Sequence, residues 1–534
     1  MMDLNNGLFG NIGIDAVGFY IPRYYLNLEE LASIRNVPPE KYTKGLLLKE
    51  FRVPGFQEDI VSMSLKAGTH AIRNSDINSK EIDGLFIATE TMTYAAKSVS
   101  NILSEILNIS VNAITQDIYN TCAGGTIALI DAISMVEKGI INKALVIFSD
   151  ICSYAMNDPG EPTQGAGAAA FIISENPRIA VLSNVYGRIS RNINDFYRPP
   201  ESDNAKVFGK FSVNCYIKFQ LAAYEDLFTK VGDIPIKSYV FHSPFPKIVL
   251  KLLSNLAIEK LEKMEGLFTK DGENKVRNES YMSNFNDFMD SFKENFNSKF
   301  SESQINQIRL GFRESIFPQL KVPMYFGNQY SASLWTQIIY LLENHLDDND
   351  IIYFGSYGSG ATCISGLLKV QSNFKQMLHG RIKIKDFLTE KLKIKFSRYK
   401  QLKTNNIENN IFLGEISEYK VEDNTSYTLN FCDEGCLISD YKDLDYCPKG
   451  HSGNNKYVFP YYAILDSDPI PCRSPEDYNF YTRGLVRIDP SAKAGDIVEF
   501  ELRRIDLNHL NEKMDGFIDW APYYIPSLFK SNKN

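Results

Sequence analysis

The sequence predicts an α/β fold, and three observations predict it. Strand-like apolar runs alternate with helix-like runs through roughly the first 370 residues, as in sheets covered by helices. One order of parts occurs twice within that stretch. Hydrophobic residues make up 44% of the 534-residue chain and aromatic residues 12%, enough core material for two or more structural units.

The first copy begins with IDGLFIAT, a buried-strand run that leads to Glu90. NTC then leads into the helix-like GGTIALIDAISMVEKG, and ALVIFSD forms the next strand. In the second copy IKSYVF leads to His242, FGN leads into QYSASLWTQIIYLLENH, and IIYFGSYGSG follows. Cys122 and Phe148 are 26 positions apart, as are Asn328 and Phe354. Halves related by a pseudo-twofold axis place Cys122 and Asn328 at equivalent helix starts, and Glu90 and His242 at equivalent strand ends. Strand ends facing helix N-termini are where α/β sheets carry chemistry, so these four side chains are expected to converge on one pocket. From about Glu259 to Phe317 the chain is charged and Asn-rich with spaced apolar residues, which reads as a helical surface insertion over 259–317.

Composition excludes several function classes. A net charge of −8 and a pI near 5.5 leave no clustered excess of Lys and Arg for a nucleic-acid partner. No run approaches the roughly 18 apolar residues of a membrane span, and MMDLNNGLFGNIGIDAVGFYIP lacks the basic and apolar regions of a secretory signal. Eight cysteines, at 122, 152, 215, 363, 432, 436, 447 and 472, are too scattered for a disulfide framework, so a reduced, cytoplasmic setting is expected. Cys122 itself admits two readings. One is a small buried apolar residue beside glycines that let backbones approach. The other is a nucleophile at the positive end of a helix, where the macrodipole favours thiolate and lowers the pKa from about 8.5.

Seven motifs in order, YTKGLLLKEFRVPGFQED, ATETMTYAAKS, NTCAGGT, PTQGAGAAAF, FHSPFPK, FGNQYSAS and SYGSGA, give the chain from about Ile12 to Tyr419 a resemblance to 3-hydroxy-3-methylglutaryl-CoA (HMG-CoA) synthases of the thiolase superfamily. The resemblance implies a duplicated five-layered α/β/α/β/α fold over residues 1–424. It implies an acyltransferase of the mevalonate pathway that condenses acetyl-CoA with acetoacetyl-CoA, needs no cofactor for catalysis and works as a homodimer paired through a sheet edge. By the same resemblance Cys122 takes the acetyl group, Glu90 is the acid/base residue and His242 holds the acceptor's carbonyl oxygen. Asn328 lies beside the acceptor, Gly358 and Ser359 line the acylated cysteine, and Lys247 meets the CoA diphosphate. The residue types suit the chemistry, because a thioester keeps the acetyl methyl acidic enough for a carboxylate to deprotonate.

Three positions depart from the family pattern. Ala123 stands where many relatives carry tyrosine, Phe208 where aspartate is usual, and Pro246, before Lys247, removes a backbone donor and stiffens the loop. These touch the acceptor side. LLLKEFRVPGFQED resembles archaeal synthases, whereas IFPQLKVPMYFGNQYSAS and NIFLGEISEYK resemble homologues that install polyketide β-branches on a chain held by an acyl carrier protein. A carrier protein needs a basic entrance, for which Lys44, Lys49, Arg52 and Lys247 are candidates. The CoA reaction is the preferred reading. An acyl-CoA-binding scaffold with a degenerate synthase is a third, and the joint presence of Cys122, Glu90, His242 and Asn328 speaks against it.

Residues 425–534 go beyond the synthase pattern. Cys432 and Cys436 form C-x3-C, and Cys447 with His451 forms C-x3-H, two pairs that suit tetrahedral zinc or are four unrelated groups in a polar loop. KYVFPYYAILDSD, TRGLVRIDPSAKAGDIVEFELRRI and DGFIDWAPYYIP alternate like strands of a small OB-like β-barrel. The second resembles the OB part of zinc-ribbon/OB proteins that accompany archaeal thiolase and synthase, which implies help in holding acyl-CoA and a thiolase complex.

Overall fold

A computed structural model describes residues 7–55, 58–200, 202, 204–259, 315–378 and 381–404, with 412–418, 426–431, 437–438, 455–460, 462–468, 470–471, 485–488, 492–505 and 523–530. Nearly all of the expected insertion lies outside these residues, as do Cys432, Cys436, Cys447 and His451 and with them the zinc expectation.

The repeated order of parts is a repeated sheet topology. The first half contains β1 (Phe9–Tyr20), α1 (Ile60–Ser75), β2 (Gly84–Ala88), α2 (Val99–Ile106), β3 (Ile114–Ile118), α3 (Gly124–Glu137), β4 (Ala144–Cys152) and β5 (Gly165–Glu175). Its strand order is β3-β2-β4-β5-β1, with β2 parallel to β3 and β4, and β5 antiparallel to β4 and β1. The second half contains β6 (Ala180–Ser183), the hairpin β7 (Phe196–Tyr197) and β8 (Lys206–Val207), α4 (Gly209–Val231), β9 (Ser238–Phe241), α5 (Pro246–Glu259), α6 (Ser333–Asn344), β10 (Ile351–Gly358) and β11 (Thr362–Val370). Its order β9-β10-β11-β6 repeats β2-β4-β5-β1, parallel and antiparallel pairs included. β1 and β6 pair antiparallel and join the halves into one ten-stranded sheet.

The alternation of side chains along these strands sorts the layers. On β4, Leu145 and Ile147 face a core with α1, while Val146 and Phe148 face a core with α3 and α6. On β10, Ile352 and Phe354 reach that same central core, while Tyr353 and Tyr357 face α4. The layers are therefore α1, first half-sheet, central α3 and α6, second half-sheet, and α4. Strands buried on both faces read as continuous apolar runs, which is why ALVIF and IIYF carry no polar alternation.

The C-terminal strands form a separate sheet. β12 (Phe412–Glu418), β13 (Tyr462–Leu465), β14 (Leu485–Ile488), β15 (Ile497–Ile505) and β16 (Tyr523–Lys530) pair in the ring β12-β13-β15-β16-β14-β12, with β14 and β16 parallel. β12 thus belongs with these strands although it precedes residue 425. Ala463, Leu465, Ala492 and Val498 join the core around α1, so this unit rests on the outer helix of the first half. Among the described residues no helix is long and apolar enough to cross a membrane.

Candidate active site

The YNTCAGG stretch folds into a tight turn followed by α3. Thr121 takes φ +43°, Cys122 follows, and α3 begins at Gly124. Gly125 is where glycine is required: a Cβ there would lie 2.8 Å from the Ser331 carbonyl oxygen and 3.0 Å from Trp335 Nε1, so the two central helices meet at this point. The turn is backed by the Gly358–Ser359 loop. Thr121 Oγ1 donates to the Ser359 carbonyl at 2.9 Å, and a Cβ at Gly358 would stand 2.4 Å from Thr121 Oγ1 and 2.8 Å from the Ala123 nitrogen.

Glu90 arrives at the same place from the end of β2. The Cys122 thiol donates to Glu90 Oε1 across 3.2 Å. Burial, then the charge of Asp150, pushes the Glu90 carboxyl up to about 8, against the Cys122 hydrogen bond and Arg198, which favour the anion. Burial and Glu90 likewise push the Cys122 thiol well above its ordinary value. Desolvation and the neighbouring Glu90 thus act against the thiolate that a helix N-terminus favours, and the thiol hydrogen bond is directed at Glu90. Cys152, Tyr154, Phe196, Ala205 and Tyr330 cluster with Cys122, and Val207 packs on them, so the β7–β8 hairpin walls the sulfur with apolar side chains.

His242 is placed by the second half. Its N–H donates to the Gly355 carbonyl at 2.8 Å, and its own carbonyl accepts from Tyr216 Oη at 2.7 Å. The parallel register of β9 on β10 pairs Phe241 with Gly355, which brings His242 alongside the strand end that runs on to Gly358 and the cysteine turn. Burial lowers the imidazole to about 3, so it is neutral, and Nδ1 has no hydrogen-bond partner among the described residues. Asn328 is buried too. Its Oδ1 accepts the Tyr330 N–H at 2.9 Å, which fixes the amide and leaves its NH2 as the donor.

The predicted equivalence of Cys122 and Asn328 does not hold locally. Tyr330 repeats the φ of +43° seen at Thr121, and α6 begins at Ser333 as α3 begins at Gly124, so Ser331 is the counterpart of Cys122. Ser331 is 23 positions from Phe354, not 26, and α6 is two residues shorter than α3. The equal intervals were a coincidence of helix and loop lengths.

Three residues of the site carried no motif. Asp150, at the end of ALVIFSD, is fully buried and binds both halves together. Its Oδ1 accepts from the Glu90 N–H, Thr89 Oγ1 and Thr91 Oγ1 at 2.8, 3.0 and 2.9 Å, and its Oδ2 from the Ser331 N–H and Oγ at 3.0 and 2.5 Å. A lone aspartate closing an apolar strand was the available signal. Asp195 accepts from Ser212 Oγ, Tyr357 Oη, Ser359 Oγ and the Gly360 N–H at 3.0, 2.9, 3.0 and 3.2 Å, which holds the Gly358–Ser359 loop. Arg198 Nη2 donates to the Glu90 carbonyl.

Lys247 is the second residue of α5, half-buried, and both burial and nearby Lys251 lower its pKa. Arg52 is no entrance residue: it is 1% exposed and donates to the carbonyls of Pro22, Tyr325 and Phe387. Pro246 opens α5, where an N–H would find no helical partner, so it removes no needed donor.

Comparison with known proteins matches the chain to a family. The model described as hydroxymethylglutaryl-coenzyme A synthase N terminal fits residues 9–178, and its C terminal companion fits 179–409. Hydroxymethylglutaryl-CoA synthase ERG13 of Gibberella zeae is 30% identical over 377 residues, 66% of this chain and 80% of that protein. MvaS in complex with 3-hydroxy-3-methylglutaryl coenzyme A shares the fold with a TM-score of 0.64 at 24% identity, over 84% of this chain and 99% of its own. The curacin pathway HMG synthase in complex with holo donor-ACP gives 0.61 at 23%, over 74% and 88%. Both family models and four fifths of a curated synthase being accounted for, the chain belongs to the hydroxymethylglutaryl-CoA synthase family.

Proposed function

We propose that the protein condenses an acetyl group with acetoacetyl-CoA to give 3-hydroxy-3-methylglutaryl-CoA and free CoA. Glu90 takes the proton from the Cys122 thiol, the sulfur attacks the acetyl thioester carbonyl, and CoA leaves as its thiol. Glu90 then removes a proton from the acetyl methyl, and the resulting enolate attacks C3 of the acceptor. Neutral His242 and the Asn328 NH2 donate to the acceptor oxygen that gains charge, a contact worth about 3 kcal/mol in a water-excluded site. Water hydrolyses the enzyme thioester, which frees the product carboxylate and returns the thiol. Lys247 is the residue offered to the CoA diphosphate, Gly358 and Ser359 line the acylated sulfur, and a reduced cytoplasmic setting suits a free thiol.

The observation that carries this reading is the 3.2 Å approach of Cys122 Sγ to Glu90 Oε1 inside an apolar wall. Its test is mass spectrometry of the Cys122 peptide after incubation with acetyl-CoA. Acetylation of the wild type and none in Cys122→Ala supports it, and an unmodified wild type overturns it. Acetoacetyl-CoA and a carrier-bound β-ketoacyl thioester offered in parallel decide the acceptor. The loss of Arg52 from the basic entrance favours CoA. We further propose a homodimer through β3, one of the two edges of the described sheet, where Val111, Ile114 and Tyr119 are exposed.

A further inference from the structure

Glu90 is held through both of its own peptide groups. Its N–H donates to Asp150 Oδ1 at 2.8 Å, and its carbonyl accepts from Arg198 Nη2. Arg198 directly follows β7, the strand whose Phe196 walls the cysteine, and is half-buried. Two carboxylates and a thiol therefore share a buried site, where each added negative charge is costly without a compensating cation.

Among the described residues, the groups that interact electrostatically with the Glu90 carboxylate are Cys122 from the turn before α3, Asp150 and Cys152 from β4, Tyr154 beyond it, Tyr330 before α6, and Arg198. Of these only Arg198 is cationic. Lys403, whose Nζ donates to Ser153 Oγ and Gln164 Oε1, acts on Cys152 instead. A guanidinium presents several donors in a planar fork, so one side chain can hold a carbonyl and bring a positive charge at once.

We infer that Arg198 is a positioning residue for the thiol–carboxylate pair: it fixes the Glu90 main chain opposite Cys122 and supplies the positive charge that lets the pair carry one negative charge while buried. The inference rests on the proposed roles of Cys122 and Glu90. It also accounts for the β7–β8 hairpin having two jobs, since one short segment provides both the apolar wall and the counter-charge.

The test reads ionisation without any substrate. Alkylation of Cys122 by iodoacetamide is followed on the Cys122 peptide from about pH 6 to about pH 10, because only the thiolate reacts. In Arg198→Gln the midpoint is expected to rise by about one pH unit, so the rate near neutrality falls about tenfold and recovers at the alkaline end. Arg198→Lys keeps a cation and should shift less than half as far. An unshifted midpoint in whichever variant folds, or a loss of equal size at every pH, overturns the proposal, because a merely structural role would not move the midpoint. Acetylation of the wild type by acetyl-CoA is measured in parallel. Failure there overturns the functional reading while leaving the alkylation profile to decide on Arg198.

Discussion

Burial drives Glu90 and His242 toward neutral forms, and the consequences for stability have opposite pH windows. The folded carboxyl of Glu90 titrates near 8, above its ordinary 4.5, so the folded state binds that proton more tightly and stability falls as pH rises from 4.5 through 8. The folded imidazole of His242 titrates near 3, below its ordinary 6.5, so its contribution is complete above 6.5 and fades as pH falls toward 3. Glu90→Gln is therefore expected to lower turnover by about 10²- to 10⁴-fold while gaining stability, on the order of a few kcal/mol, at pH 8 but not at pH 5. Urea melts at the two pH values check the sign. Asp150→Asn should act differently. One of its two oxygens becomes an NH2 facing donors, which costs about 1–3 kcal/mol in a melt. With the negative charge gone, the alkylation midpoint of Cys122 should fall, the reverse of Arg198→Gln. Cys122, Glu90 and His242 were legible because each sits in a local motif. Asp150, Asp195 and Arg198 were not, because their partners lie far along the chain: Ser331 is 181 positions from Asp150, Ser359 is 164 from Asp195, and Glu90 is 108 from Arg198.

At the scale of elements, the half-sheets could be read because fully buried strands leave continuous apolar runs and the central helices follow them in both copies. The helix starts were harder, since a turn with φ +43° at Thr121 or Tyr330 leaves no compositional mark. The same scale explains two of the departures that sequence placed on the acceptor side. Pro246 is a favoured first helical residue. Phe208 is the N-cap of α4, 52% exposed, and makes no side-chain cap bond. An aspartate there is a preferred N-cap that accepts a free N–H of the first turn and complements the dipole. Phe208→Asp is expected to stabilise the chain by about 1 kcal/mol with turnover unchanged, measured by thermal melts and steady-state rates. A changed acceptor preference in that variant would instead return Phe208 to the substrate side.

The whole molecule differs from the matched family region by the unit that follows residue 409, and α1 shows that this unit is not loosely attached. Fourteen of the sixteen residues of α1 are buried, Lys66 among them, although α1 lies outside the first half-sheet, where a helix is expected to keep a wet face. The face turned from the sheet is covered by Ala463, Leu465, Ala492 and Val498. Val498→Asp in the full chain puts a charge into this contact with no partner for it, at a cost on the order of 3 kcal/mol. The expected result is a lower melting temperature together with faster amide exchange along α1, while Lys493→Asp, on the exposed part of the same unit, changes neither. Unchanged exchange along α1 in Val498→Asp would mean that α1 keeps its structure without the cover. Because the site's Glu90 loop is carried between β2 and α2, next to α1 in the same core, loosening α1 should also slow acetylation of Cys122, which ties the added unit to the chemistry through packing alone.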